Sequence, residues 1–194
     1  MSQRIGEVIE SSSAEFTAEC YELYAMPLLG GLVKVNASPL EIYGIVCHSG
    51  TASIEPGRRP IARGKDETSE DAIYQASPQL GKLLRSEFRV LVVGYQSEGK
   101  IYKYLPSKPV HIHSFVQVCN PEEVRQFGQS FEFLSILAFA HTDLPTEELI
   151  AATLREMSRV QPDPHTFLVA SGKALTSILS GEYQRLKTIL TRLK

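Results

Sequence analysis

No stretch of this sequence holds the ~18 consecutive apolar residues that a membrane-spanning helix needs, so no transmembrane helix is expected. Cysteine is scarce. Cys20, Cys47 and Cys119 are an odd number at wide spacing, with no Cys-x-x-Cys pair. A disulfide framework is not expected, and each thiol falls in a strand-like run that suits a buried free cysteine. An excess of one charge is missing too: 20 basic against 22 acidic residues gives a net charge of −2. That gives no global drive toward nucleic acid or an anionic membrane. Met1 to Glu7 lack the apolar core of a secretory signal, so a cytoplasmic location is expected. What is present, 43% hydrophobic and 22% charged residues over 194 positions, is the composition of a globular chain with room for one or two cores.

Residues 4–53 carry four strand-like runs. Ile5, Val8 and Ile9 supply the first, and Ser11 to Ser13 turn the chain. Phe16, Ala18 and Cys20 then alternate with Glu15, Thr17 and Glu19, the period of a strand with one wet face. Leu32, Val33 and Val35 follow Gly30-Gly31, a pair free to take positive φ. Ile42, Ile45 and Val46 form the fourth run, with Gly44 at a possible bend. Glycines inside short strands suit the coiling of a small barrel. An ordinary antiparallel sheet or a sandwich satisfies the same period.

Residues 54–86 change character. Arg58, Arg59, Arg63 and Lys65 cluster among Pro and Gly in a loop, and Ser69–Tyr74 and Pro78–Arg85 read as short helices, with Ser77 as N-cap of the second. The strand pattern resumes at Glu87–Tyr95, Lys100–Leu105 and His113–Cys119, giving about seven strands before residue 120. From Pro121 the period is helical, with Asn120 and Asp163 as N-caps and a break at Ser180-Gly181. Arg185, Lys187, Arg192 and Lys194 fall on the last helix, read as a solvated face. The expected fold is segregated α+β: a small closed antiparallel β-barrel over 1–120, with the insertion at about 54–86, then a helical domain over 121–194.

Ile5-Gly6-Glu7-Val8-Ile9, Glu15-Phe16, Gly31-Leu-Val-Lys-Val and Tyr43-Gly-Ile-Val, in that order, resemble the HAS-barrel family. This is the N-terminal barrel shared by HerA-type DNA-translocating ATPases and F-type ATP synthase subunits. Phe88–Gly94 and His113–Val118 look like its later strands, so the resemblance covers about residues 3–119. It implies a barrel that serves assembly and contacts at one end of an ATPase ring and carries no catalytic residue. The ATPase module itself has no counterpart here, which implies a stand-alone barrel with a helical tail.

Candidate chemistry is thin. Gly94-Tyr-Gln-Ser-Glu-Gly-Lys100 matches the opening of a phosphate-binding loop, which needs Ser or Thr next and then a helix. Ile101 and a strand-like Tyr-Lys-Tyr follow instead, so a β-hairpin turn is expected. His111 and His113 share one face if the segment is extended, a weak start for a metal site with Cys119 or His48 as third ligand. Cys47, His48 and Ser49 can be posed as nucleophile and base, without a supporting frame. Arg58, Arg59, Arg63 and Lys65 form a weak anion-binding candidate, partly cancelled by Asp66, Glu67, Glu70 and Asp71.

The leading expectation is a non-enzymatic assembly or protein-interaction module without a cofactor. Its partners would be other barrels or a separate ATPase. A nucleic-acid-binding module using the barrel surface and the Arg58/Arg59 loop is the alternative, and a metal-dependent enzyme at His111/His113 the third.

Overall fold

The computed structural model describes residues 3–55 and 57–193. Met1, Ser2, Pro56 and Lys194, which enter the sequence reading of the terminus, the loop and the last helix, lie outside them. Seven strands form among the described residues: β1 (Arg4–Ser11), β2 (Glu15–Cys20), β3 (Leu32–Ala37), β4 (Leu40–Ser53), β5 (Leu84–Ser97), β6 (Lys100–Tyr102) and β7 (Phe115–Val118). Six of them close a ring in the order β2, β1, β7, β3, β4, β5 and back to β2, every pairing antiparallel. The closing link sets Phe16 opposite Val90 and Thr17 opposite Arg89. That link separates a barrel from the sandwich that strand periodicity alone allows, because it removes the free edges. β6 stays outside the ring and pairs with β5.

Strand alternation decides what fills the barrel. Val8, Phe16, Val33, Ile42, Phe88 and Val116 belong to one interior cluster of buried side chains. β2 keeps a strict alternation of buried and half-buried positions. β4 is different: Ile42 to Cys47 is buried without interruption. Ile42 and Val46 point into the barrel, while Tyr43, Ile45 and Cys47 point outward into a second core shared with the helices. A strand covered on both faces loses its polar alternate positions. Truncating Phe88 in the interior to Ala is worth a loss of about 3–5 kcal/mol.

The helices are α1 (Glu70–Ala76), α2 (Leu80–Leu83), α3 (Pro121–Phe127), α4 (Leu134–Ala138), α5 (Thr146–Ser158), α6 (Pro164–Ile178) and α7 (Tyr183–Thr191). Asn120 starts α3 as expected. Its side chain accepts from the Glu123 amide at 3.0 Å while the Glu123 carboxylate accepts from the Asn120 amide at 2.8 Å, a reciprocal cap. Asp163 caps α6 through the Thr166 amide at 3.1 Å. Ser77 does not cap α2. Its amide donates to the Ile73 carbonyl and so belongs to the end of α1, and Gln79, at the N-cap of α2, makes no side-chain cap.

The last five helices share one core with the outer wall of β4 and β5, in which Leu91 and Val93 lie with Phe127, Phe133, Leu149 and Leu154. The fold is therefore α+β, a closed six-stranded barrel with seven helices among the described residues. The basic residues of α7 divide. Lys187 is exposed, as a solvated face requires. Arg185 instead reaches the Glu147 carboxylate at 2.5 Å, the Ala138 carbonyl at 2.7 Å and the Thr146 hydroxyl at 2.9 Å, tying α7 to α4 and α5. Among the described residues, no helix is long and apolar enough to cross a membrane.

Candidate functional site

β4 and β5 run on beyond the barrel as a long hairpin, in register to Ser53 opposite Leu84. The insertion folds back on this extension and leaves a cleft of about 520 Å³. Ile61, Ile73, Leu80, Leu83 and Leu84 give it apolar walls, and Arg58, Arg59 and Arg63 also line it. Three of the four basic residues singled out by sequence thus meet at one cleft, while Lys65 is not among its lining residues. Arg58 is held by Glu55 at 2.8 Å, and Arg59 and Arg63 have no acidic partner within ion-pair distance among the described residues. Glu70 is the other carboxylate lining the cleft.

Two tyrosines latch the insertion to the barrel. Tyr24 lies in the loop after β2 with φ +66°, a left-handed conformation unfavourable for a bulky residue. Its amide donates to the Ser86 hydroxyl at 2.9 Å, and that hydroxyl is 2.8 Å from the hydroxyl of Thr51. Its phenol meets the phenol of Tyr74 on α1 at 2.5 Å, with the rings edge to face. The Tyr24 hydrogen bond, more than burial, pushes the Tyr74 hydroxyl up to about 12. Neither tyrosine carries a motif, and they are 50 residues apart, so sequence spacing gives no hint that they meet.

The other candidates fall differently. His113 has φ +70° and sits in a turn closed by the Ser114 amide on the His111 carbonyl at 3.2 Å. The extended geometry that would align His111 and His113 is therefore absent. His113 Nδ1 instead lies 2.5 Å from a Glu7 carboxylate oxygen. Among the described residues, no three His, Cys, Asp or Glu side chains are placed to hold a metal ion.

Cys119 is buried in the core shared with the helices, and that burial pushes its thiol well above the ordinary range. Cys47 is buried as well, its thiol pushed up to about 11 by desolvation, while His48 is exposed. The three cysteines are free. Gly94 to Lys100 is the end of β5, a two-residue turn and the start of β6. Glu98 at φ +50° and Gly99 at φ +78° give that turn its left-handed pair.

This hairpin carries an aromatic surface. Tyr95 stacks on Tyr102 at 5.0 Å, Tyr104 meets both edgewise at 5.6 Å, and the Lys100 ammonium lies 5.2 Å from the Tyr102 ring centre. Tyr104 keeps 56% and Leu105 39% of their surface exposed. Leu40 completes a shallow hollow beside them.

Fold and sites together define a class: a closed antiparallel barrel with helices packed on its wall, an aromatic hairpin and a basic-rimmed cleft. No protein-family model matches the chain, and no curated protein matches it.

Proposed function

We propose that this chain is a non-enzymatic assembly module, associating barrel to barrel through the tyrosine hairpin. The observation that carries the reading is the packed cluster of Tyr95, Tyr102 and Tyr104 at the β5–β6 hairpin, half-buried at Tyr95 and Tyr102 and exposed at Tyr104 and the adjoining Leu105. Tyrosine anchors protein interfaces because its large, stiff ring buries apolar area while its hydroxyl stays satisfied. The three rings pack against each other and Lys100 caps one face. They are thus held rigid for a protein surface rather than splayed to stack nucleobases.

The resemblance to HAS barrels, where the barrel serves assembly, points the same way and brings a separate ATPase ring into view as a further partner. A cytoplasmic setting belongs to this reading and is supported by the three free, buried thiols. The burial of Cys47, away from exposed His48, weighs against nucleophilic chemistry there. Light scattering over a concentration series tests the proposal. The wild-type chain is expected to exceed its monomer mass and the Tyr104→Glu variant to return to it, with unchanged circular dichroism. A monomer at every concentration for both proteins contradicts it.

A further inference from the structure

The cleft under the insertion is independent of the tyrosine hairpin and has its own chemistry. We infer that it binds a small amphiphilic monocarboxylate, with the apolar body between α1, α2 and the β4–β5 extension and the carboxylate at Arg59 and Arg63. Its volume, about 520 Å³, falls in the range of small-molecule sites, roughly 300–1,000 Å³.

The walls ask for an apolar body. α1 and α2 contain no fully buried residue, although Ile73, Leu80 and Leu83 all turn toward the cleft. Leu83 keeps 38% of its surface exposed and Ile61 keeps 72%. Helices this short depend on tertiary burial of an apolar face, and a hydrocarbon body seated there removes that area from water. The Tyr24–Tyr74 latch, held by a left-handed Tyr24, fixes α1 at the distance that keeps the cleft open.

The charges set the head group. Arg58 is engaged by Glu55, which leaves the guanidinium groups of Arg59 and Arg63 against the single carboxylate of Glu70. The excess is one positive charge, which a monoanion neutralises and a phosphate dianion overshoots. Arginine also fits a carboxylate in paired hydrogen bonds. A polyanion is disfavoured by Asp66, Glu67, Glu70 and Asp71, which follow the arginines directly.

Isothermal titration of the full chain with dodecanoate, below its micellar concentration, tests this. One molecule per chain should bind saturably, and the methyl ester should bind about tenfold or more weakly. The Arg59→Ala/Arg63→Ala double variant should lose a similar factor for the acid alone, and Leu83→Asn should weaken acid and ester together. Tyr104→Glu should leave the titration unchanged, so the site stands or falls apart from the assembly surface. Failure of dodecanoate to saturate overturns the inference, and so does equal binding of acid and ester. Salt-dependent capture of an oligonucleotide that needs Arg59 and Arg63 but ignores Leu83→Asn overturns it in favour of a nucleic-acid site.

Discussion

Gly30 lies against the backbone of Thr153. A methyl group on Gly30 would stand 2.5 Å from the Thr153 amide nitrogen and 2.6 Å from the Ala152 carbonyl carbon. This is where the loop leading into β3 meets α5, so barrel and helices touch backbone to backbone. Gly30 also has φ +78° and donates its amide to the Val46 carbonyl at 2.8 Å. Positive φ and close approach coincide at one residue.

Gly99 makes a controlled comparison. It has the same φ of +78°, but a methyl group there would meet nothing within 4 Å. Gly99→Ala therefore costs the conformational term alone, about 1–2 kcal/mol. Gly30→Ala adds a clash with main chain that cannot swing aside, and a loss of about 3 kcal/mol or more is expected. Urea denaturation of the two variants measures the difference. Equal losses would show that α5 does not press on the loop.

Lys34 holds the first turn of α3 to the barrel wall. Its ammonium is 2.7 Å from Glu41 and 2.6 Å from Glu123, with only 11% of the side chain exposed. Burial pulls the Lys34 pKa down, but the Glu123 and Glu41 hydrogen bonds outweigh it and leave it above the ordinary value. Lys34→Met leaves two half-buried carboxylates facing each other and is expected to lose about 3 kcal/mol, since one partner of a buried cluster has gone. Adding Glu41→Gln and Glu123→Gln should recover part of that loss in the same urea titration. No recovery in the triple variant would mean the defect is packing rather than charge.

Lys103 gives a pH signature. Its ammonium donates to the carbonyls of Phe127, at the end of α3, and Ser130, and lies 4.0 Å from the Phe127 ring centre. Burial lowers its pKa from the ordinary 10.5 to about 8. Between those two values the unfolded chain holds the proton that the folded chain has released, so stability from this group rises with pH. The stability of wild type minus that of Lys103→Met should be flat below about pH 8, climb from there to about pH 10.5, and level off above. Taking the difference removes every contribution that the two proteins share. A flat difference across it contradicts the burial of a charged Lys103.

Much of the barrel is legible in the sequence because each side chain there answers to one local rule. Phe16, Ala18 and Cys20 alternate with wetter neighbours since β2 has one covered face, and Asn120 before Pro121 has a capping meaning wherever it occurs. Closure is not legible. The pairing of Phe16 with Val90 joins strands far apart in sequence, and either strand would read the same at an open edge. The misreadings have local causes. His113 turns left-handed because its amide is taken by the Val8 carbonyl at 2.8 Å and its ring by Glu7, not because of its own identity. Arg185 looks like one more basic residue on a helix until α4 and α5 supply the groups it binds. At the cleft, the arginine cluster is visible in sequence, but Tyr24, Tyr74 and the apolar walls come together through tertiary packing alone.

In the proposed function this barrel works through its surface, packing its Tyr95, Tyr102 and Tyr104 face against another barrel. A native mass spectrum of the purified protein, beside that of Tyr104→Glu, tests it most directly. Multiples of the chain mass are expected for the wild type and a single-chain mass for the variant. A single-chain mass for both, or assemblies that survive Tyr104→Glu unchanged, would contradict it.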